Sequence, residues 1–150
     1  MREMKPAHSA VETALASALP ARSRWALGGA PLDFKFTVAQ GLLSVPDEVL
    51  QFDDGAWSNL QVFGEYDYAE GGGAKALLCV QCDGSVCGLD LERDVAIFPL
   101  NSSVDRFVAT FRMLDSYLAH GKPLPVDCAE QLRTIDPEIG PSSDWLSLIG

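Results

Sequence analysis

Asp83-Gly84 sits between the apolar runs KALLCVQ and VCGLDLE, and this arrangement constrains the chain more than any other feature in it. Asp-Gly flanked by apolar residues signals a tight β-hairpin, because a two-residue type I′ turn needs positive φ at both positions. In that register Cys82 faces Ser85, Val80 faces Cys87, Leu78 faces Leu89 and Ala76 faces Leu91. One face of the ribbon is then nearly all apolar. The other carries Lys75, Leu77, Cys79, Gln81, Val86, Gly88, Asp90 and Glu92 and is mixed, with Lys75 opposite Glu92. A slip of one residue would exchange the two faces along one strand. The first face should cover a core, and the second should be partly wet or covered by irregular chain.

A long amphipathic helix should supply the other side of that core. In VDRFVATFRMLDSYLAH, Val104, Phe107, Val108, Phe111, Leu114 and Leu118 recur at helical spacing. Ser102-x-x-Asp105 reads as a capping box at its start, with Asn101 and Ser103 as alternative caps. His120-Gly121-Lys122-Pro123 reads as its stop: a cation at the negative end of the dipole, a glycine for the left-handed residue, then proline.

Other elements follow from the same rules. Residues 1–8 are expected to be mobile, and Ser9-x-x-Glu12 to cap an alanine-rich helix from Ser9 to Leu19. Trp25 to Pro31 reads as a glycine-containing loop with Trp25 as a buried anchor. DFKFTV alternates as a half-buried strand. GLLSVPDEVLQFDDGAW reads as loop, and NLQVFGEY as a strand with Leu60, Val62 and Gly64 on one side. DYAEGGGA reads as a loop, VAIFPL as a strand, and Asp127-x-x-Glu130 as the start of a short helix bearing Leu132 and Ile135. The closing PSSDWLSLI should pack Trp145, Leu148 and Ile149 back on the body. The sum is one α+β domain over residues 1–150, an antiparallel sheet with N-terminal and C-terminal helices.

Composition excludes several classes. A chain of 150 residues can bury about 70% of its unfolded surface, and 47% apolar residues rule out a disordered chain. Eleven basic against 21 acidic residues give a formal charge of −10, which repels nucleic acid and anionic membrane and favours basic partners. No run of about 20 apolar residues offers a membrane span, and the N-terminus lacks an export signal, so a soluble cytoplasmic protein is expected.

No catalytic constellation emerges. Cys79-x-x-Cys82 has zinc-like spacing, with Cys87, Cys128, His8 and His120 as further ligands. On a strand, however, residues three apart point to opposite faces, so no metal or other cofactor is assigned. A Cys82–Cys87 disulfide would be diagonal across the ribbon, about 7–8 Å, and is disfavoured. Gly71-Gly72-Gly73-Ala74-Lys75 has no Ser or Thr after the lysine and is followed by a strand, unlike a phosphate loop. No Gly-x-Ser-x-Gly elbow occurs. Asp90 with Glu92 is the carboxylate pair on which a hydrolase reading would rest.

What remains is surface. QFDDGAW and EYDYAEGGG bring Asp53, Asp54, Glu65, Asp67 and Glu70 together with Trp57, Tyr66 and Tyr68 in loops. Carboxylates for steering and aromatics for anchoring suit a face for a basic protein. The competing reading makes Trp57 a core residue and the acids an ordinary solvated rim.

The order of elements in LQVFGEYDYAEGGGAKALLCVQCDGSVCGLDLERDVAIFPLNSSVDRFVATFRMLDSYL resembles the SUKH superfamily, closest to its fourth group of immunity proteins. A strand ends near Phe63-Gly64 before a glycine-rich turn. The apolar strand Ala76–Val80, the Asp83-Gly84-Ser85-Val86 hairpin and the strand through Leu89 follow. Asn101-Ser102-Ser103 then enters a helix with Phe107 inward. Trp145 is similar to the family's closing segment, and ALGGAPLDFKF more loosely to its entry. The resemblance implies a curved antiparallel sheet in an α+β fold and a protein that is not an enzyme. It implies an immunity protein that binds a cognate bacterial toxin domain, a nuclease or nucleic-acid deaminase, and occludes its active site. The same superfamily also holds scaffold and adaptor proteins, so fold alone does not fix the role.

Overall fold

A computed structural model describes residues 4–25, 31–51, 56–68, 75–92, 95–138 and 144–145. The strands are β1 (Arg22–Trp25), β2 (Leu32–Phe36), β3 (Leu43–Ser44), β4 (Gln61–Asp67), β5 (Lys75–Val80), β6 (Val86–Leu89) and β7 (Ile97–Asn101). The helices are α1 (Met4–Ala18), α2 (Asp47–Leu50), α3 (Val104–Leu118) and α4 (Cys128–Ile135). The strands form one curved, unclosed antiparallel sheet in the order β1-β2-β4-β5-β6-β7, with β3 beside one end of β4. The α+β architecture with helices at both ends of the chain is as the sequence predicts. No described helix is long and apolar enough to cross a membrane.

Alternation along the strands gives the sheet two faces. Trp25, Phe34, Phe36, Phe63, Tyr66, Ala76, Leu78, Val80, Val86, Phe98 and Leu100 join α1, α3 and α4 in the main core. α3 buries Val104, Phe107, Thr110, Phe111, Leu114 and Leu118 there. The predicted Val108 is half-buried at its margin. Trp25 stacks on Phe111 at 5.2 Å, and Phe36 meets Phe111 edge-on at 5.0 Å. Such pairs add about 1 kcal/mol each beyond area burial. The opposite face has a smaller apolar cluster, with Val62, Cys79, Cys87 and Leu89 covered by Val45 and Leu60. Thus the segment expected to be loop carries β3 and α2, and its Val45, Val49, Leu50 and Trp57 pack on the second face.

The hairpin differs from expectation by one residue. Cys79 pairs with Cys87 and Val80 with Val86, so the loop is Cys82-Asp83-Gly84. Gly84 N–H donates to Gln81 O at 2.9 Å, and Gly84 takes φ +91°. This is a type I turn followed by a left-handed glycine, in which only one residue needs positive φ. Asp83 is therefore spared the left-handed region. Its carboxylate accepts from Ser85 N at 2.9 Å and Ser85 Oγ at 2.6 Å. The shift moves Val86 and Gly88 to the main-core side and puts Cys87 and Leu89 beside Cys79. Lys75 pairs with Glu65 at 3.2 Å rather than with Glu92.

Other boundaries also move. α1 is already helical from Met4, so Ser9 lies inside it and residues 4–8 are helical rather than free. Glu12, expected to close a capping box, accepts from Leu42 N at 2.9 Å. Residues 22–25 form β1, where the sequence pattern showed no element; Trp25, expected to open a loop, ends that strand and is fully buried as expected. A bulge between Val62 and Gly64 puts Phe63 in the main core and separates Gly64 from Leu60 and Val62. The cap of α3 is Ser103, whose Oγ accepts from Arg106 N at 3.2 Å. Ser102 is drawn away because its Oγ donates to Asp136 at 2.6 Å. Asp136, buried, also accepts from Ser102 N at 2.7 Å and Asn101 Nδ2 at 3.1 Å, while Trp145 Nε1 donates to Asn101 Oδ1 at 2.7 Å. At the far end Gly121 has φ +70° and Lys122 N–H reaches Tyr117 O at 2.9 Å, the predicted glycine stop. Leu148 and Ile149 lie outside the described residues.

Candidate interaction face

Beyond the part packed by residues of the 43–60 segment, the second face is built from β1, β2, β4 and β5. Trp25, Phe34, Tyr66 and Ala76 point to the main core, so their strand neighbours point away from it. Register lines those neighbours up in two rows. Arg24 stands opposite Asp33, Asp33 opposite Asp67, and Asp67 opposite Lys75. In the next row Arg22 stands opposite Lys35, Lys35 opposite Glu65, and Glu65 opposite Leu77. Arg22, Arg24 and Lys75 are exposed, and Asp33, Lys35, Glu65 and Asp67 are half-buried.

Opposite signs stand side by side at Arg24–Asp33, Lys35–Glu65 and Asp67–Lys75, and like signs at Arg22–Lys35 and Asp33–Asp67. Lys75 and Glu65 make the one ion pair among its described residues, between side chains 53% and 23% exposed, which keeps it worth well under about 1 kcal/mol. Among the described residues Asp67 Oδ1, shielded from solvent, has no hydrogen-bond partner. The face carries Arg22, Arg24, Lys35 and Lys75 against Asp33, Glu65 and Asp67. It is therefore bipolar, not acidic, although the whole chain carries −10.

The predicted site residues do not share one location. Asp53, Asp54 and Glu70 lie outside the described residues. Glu65 and Asp67 are on the outer face. Tyr66 is only 3% exposed and packs 5.3 Å from Phe34 inside the main core, where a partner could not reach it. Tyr68 is half-buried and donates to Asp90 Oδ2 at 2.7 Å. Trp57 is half-buried against the smaller cluster. The physical reason is that β4 continues through Asp67, so successive residues of Glu-Tyr-Asp-Tyr alternate between faces instead of clustering in a loop. Arg22, Arg24, Asp33, Lys35 and Lys75 were not named as site residues from the sequence, where Lys75 reads only as a cross-strand partner of Glu92. The outward positions in Asp33-Phe34-Lys35-Phe36 are visible as alternation, but which strands lie side by side is not.

The carboxylates and thiols considered for chemistry also separate. Asp90 is buried and accepts from Glu92 N at 2.9 Å as well as from Tyr68, whereas Glu92 is exposed. They do not share a wet face. Cys79 and Cys87 are buried opposite each other, while Cys82 is exposed at the hairpin tip. The neighbouring Cys87 and burial push the Cys79 thiol far up, which keeps it protonated. Burial, with Asp127 close by, also raises Cys128. Among the described residues no group of three or more His, Cys, Asp or Glu is placed to hold a metal ion. Comparison of the chain with family models, curated proteins and solved structures returned no match.

Proposed function

We propose that this chain is an immunity protein of SUKH type, not an enzyme. It binds a cognate bacterial toxin domain in the cytoplasm, a nuclease or nucleic-acid deaminase, and covers its active site. The reading combines the order of strand, hairpin and helix in the sequence with one structural observation that carries it. One part of the second sheet face holds a two-row array of charges of both signs, Arg24, Asp33, Asp67 and Lys75 in one row and Arg22, Lys35 and Glu65 in the next. A surface built only for solubility has no need to align Arg24, Asp33, Asp67 and Lys75 across four strands. Such an array supports recognition of another protein, because charged groups across an interface set register and suppress wrong partners. The chain's −10 charge adds long-range attraction toward a toxin with a basic substrate groove.

Co-expression with the toxin-like product of the adjacent gene tests this. Growth should be restored by the wild-type chain, and the two proteins should co-purify. Unrelieved toxicity with no complex would remove the proposal.

A further inference from the structure

The observed hairpin register creates a thiol pair. With a two-residue turn Cys87 would face Val80, whereas the three-residue loop sets it directly opposite Cys79. Directly opposed residues of an antiparallel pair have Cα atoms about 4.5–5.5 Å apart, inside the range of about 4.4–6.8 Å that a disulfide accepts. Both side chains enter the smaller apolar cluster, and the Cys79 thiol hydrogen-bonds Cys87. The two sulfurs are therefore in contact but not bonded. Both residues are buried, at 0% and 1% exposure. Two short elements contribute to their cover. β3 meets β4 at two positions only, Leu43–Val62 and Ser44–Gln61. α2 has four residues, none of them fully buried, and no side chain caps its start. Short, lightly packed elements open locally at a lower free energy than the whole fold. Beneath them β5 and β6 are inner strands, each paired on both sides.

We infer that Cys79 and Cys87 form a reversible redox staple of the β5–β6 hairpin, gated by β3 and α2 and closed by a peroxide. With the cover in place the pair stays reduced, because buried, protonated thiols are poor nucleophiles. When β3 and α2 lift, hydrogen peroxide reaches the sulfurs. The first thiolate takes one oxygen from the peroxide, giving a sulfenic acid as the O–O bond breaks, and the other oxygen leaves as hydroxide, which the released thiol proton converts to water. The second thiol then attacks the sulfenic sulfur. The S–S bond forms as the S–O bond breaks, and the hydroxyl leaves as a second water. Two thiols and one peroxide thus give one disulfide and two waters, a two-electron oxidation. A thiol reductant reverses it by two exchange steps. The opposed positions let the bridge form with the β5–β6 ladder intact. The other cysteines are placed differently. Cys82 is exposed at the hairpin tip, and Cys128 packs in the main core on the far side of the sheet. The staple acts on the chain itself and does not depend on the toxin-binding reading.

The test uses the full folded chain carrying Cys82→Ser, which removes the exposed thiol. After hydrogen peroxide in native buffer its mass should fall by about 2 Da, the two hydrogens lost on bridging. Digestion without reductant should yield one linked peptide pair, Cys79 to Cys87, and dithiothreitol should restore the free thiols. Leu50→Ala or Val49→Ala in the same background loosens α2 and should speed bridging about 10-fold. Cys87→Ala, or Cys87→Val where the alanine variant does not fold, should leave Cys79 unbridged as a sulfenic acid that dimedone traps. The oxidised chain should melt above the reduced one, because the bridge restricts the unfolded chain. Thiols that all survive the peroxide overturn the inference, as does a bridge that includes Cys128. A bridging rate unaffected by both α2 substitutions removes the gate and overturns it too. An oxidised chain that melts below the reduced one overturns the staple, since the bridge would then be strained in the native hairpin.

Discussion

At the scale of single residues, Gly88 shows how closely this sheet is fitted. Gly88 lies opposite Phe98, and the ring occupies the space a side chain would need: a Cβ on Gly88 would fall 2.1 Å from Phe98 Cζ. The glycine is a packing requirement here, since its φ is ordinary. Gly88→Ala should therefore destabilise by about 1–3 kcal/mol, the cost of overpacking a filled core. Denaturant unfolding measures it, and a second substitution, Phe98→Leu, should recover part of the loss. If Gly88→Ala melts like wild type, the ring does not lie over the glycine in solution. Some residue roles were legible before any coordinates. Trp25 and Trp145 were expected as buried anchors, and both are. Asn101 was not legible in its actual role. It is a candidate cap by local sequence, but its partners are Thr110, Asp136 and Trp145, up to 44 residues away. Nothing local encodes such a contact.

At the scale of elements, periodicity identified α3 and most of the strands because each has a long apolar stripe or clean alternation. The errors have local physical causes. Arg22-Ser23-Arg24-Trp25 contains one large apolar residue, too little pattern to reveal β1. Ser102 and Ser103 both offer a hydroxyl at the helix start, and distant Asp136 decides between them. In the hairpin, Asp-Gly is compatible with a two-residue and a three-residue loop, and the choice reverses which face Val86 through Leu89 present. That choice has a pH signature. Hydrogen bonds from the Ser85 hydroxyl and amide hold the Asp83 carboxyl below its ordinary 3.8. A folded-state value below the unfolded one means that the ionised group favours the folded turn. Its contribution is fully present above the ordinary value and is lost as pH falls through the lower folded value. The Ser85 amide resonance should therefore titrate with a midpoint below 3.8, and Ser85→Ala should move Asp83 back toward that figure. A midpoint at or above it would mean that the tip does not hold this three-residue geometry.

At the scale of the whole molecule, the sheet separates two roles that the sequence ran together. Its helix-covered face and the β4–β6 part of its other face make the core, and the outward positions of β1, β2, β4 and the start of β5 carry charges of both signs. The net charge does not describe that surface, because four of the eleven basic residues stand on it. The acids that make the chain negative are placed elsewhere, including Asp105 on α3 and Glu130 on α4, both exposed. If the partner is a basic toxin, the two charge systems should act on different steps. The diffuse negative field draws the partner in and is felt before contact. The bipolar face acts after contact, through pairs that must be broken for release. Asp105→Asn with Glu130→Gln should then slow association about two-fold to five-fold at low ionic strength and leave dissociation unchanged. The association difference should shrink as salt approaches about 0.15 M, where the screening length falls to about 8 Å. Asp67→Asn should do the reverse, with dissociation faster and association little altered. Surface-based kinetics at two salt concentrations separate these patterns. Equal effects of both sets of substitutions on association alone would mean that the ordered rows serve only as part of the general field.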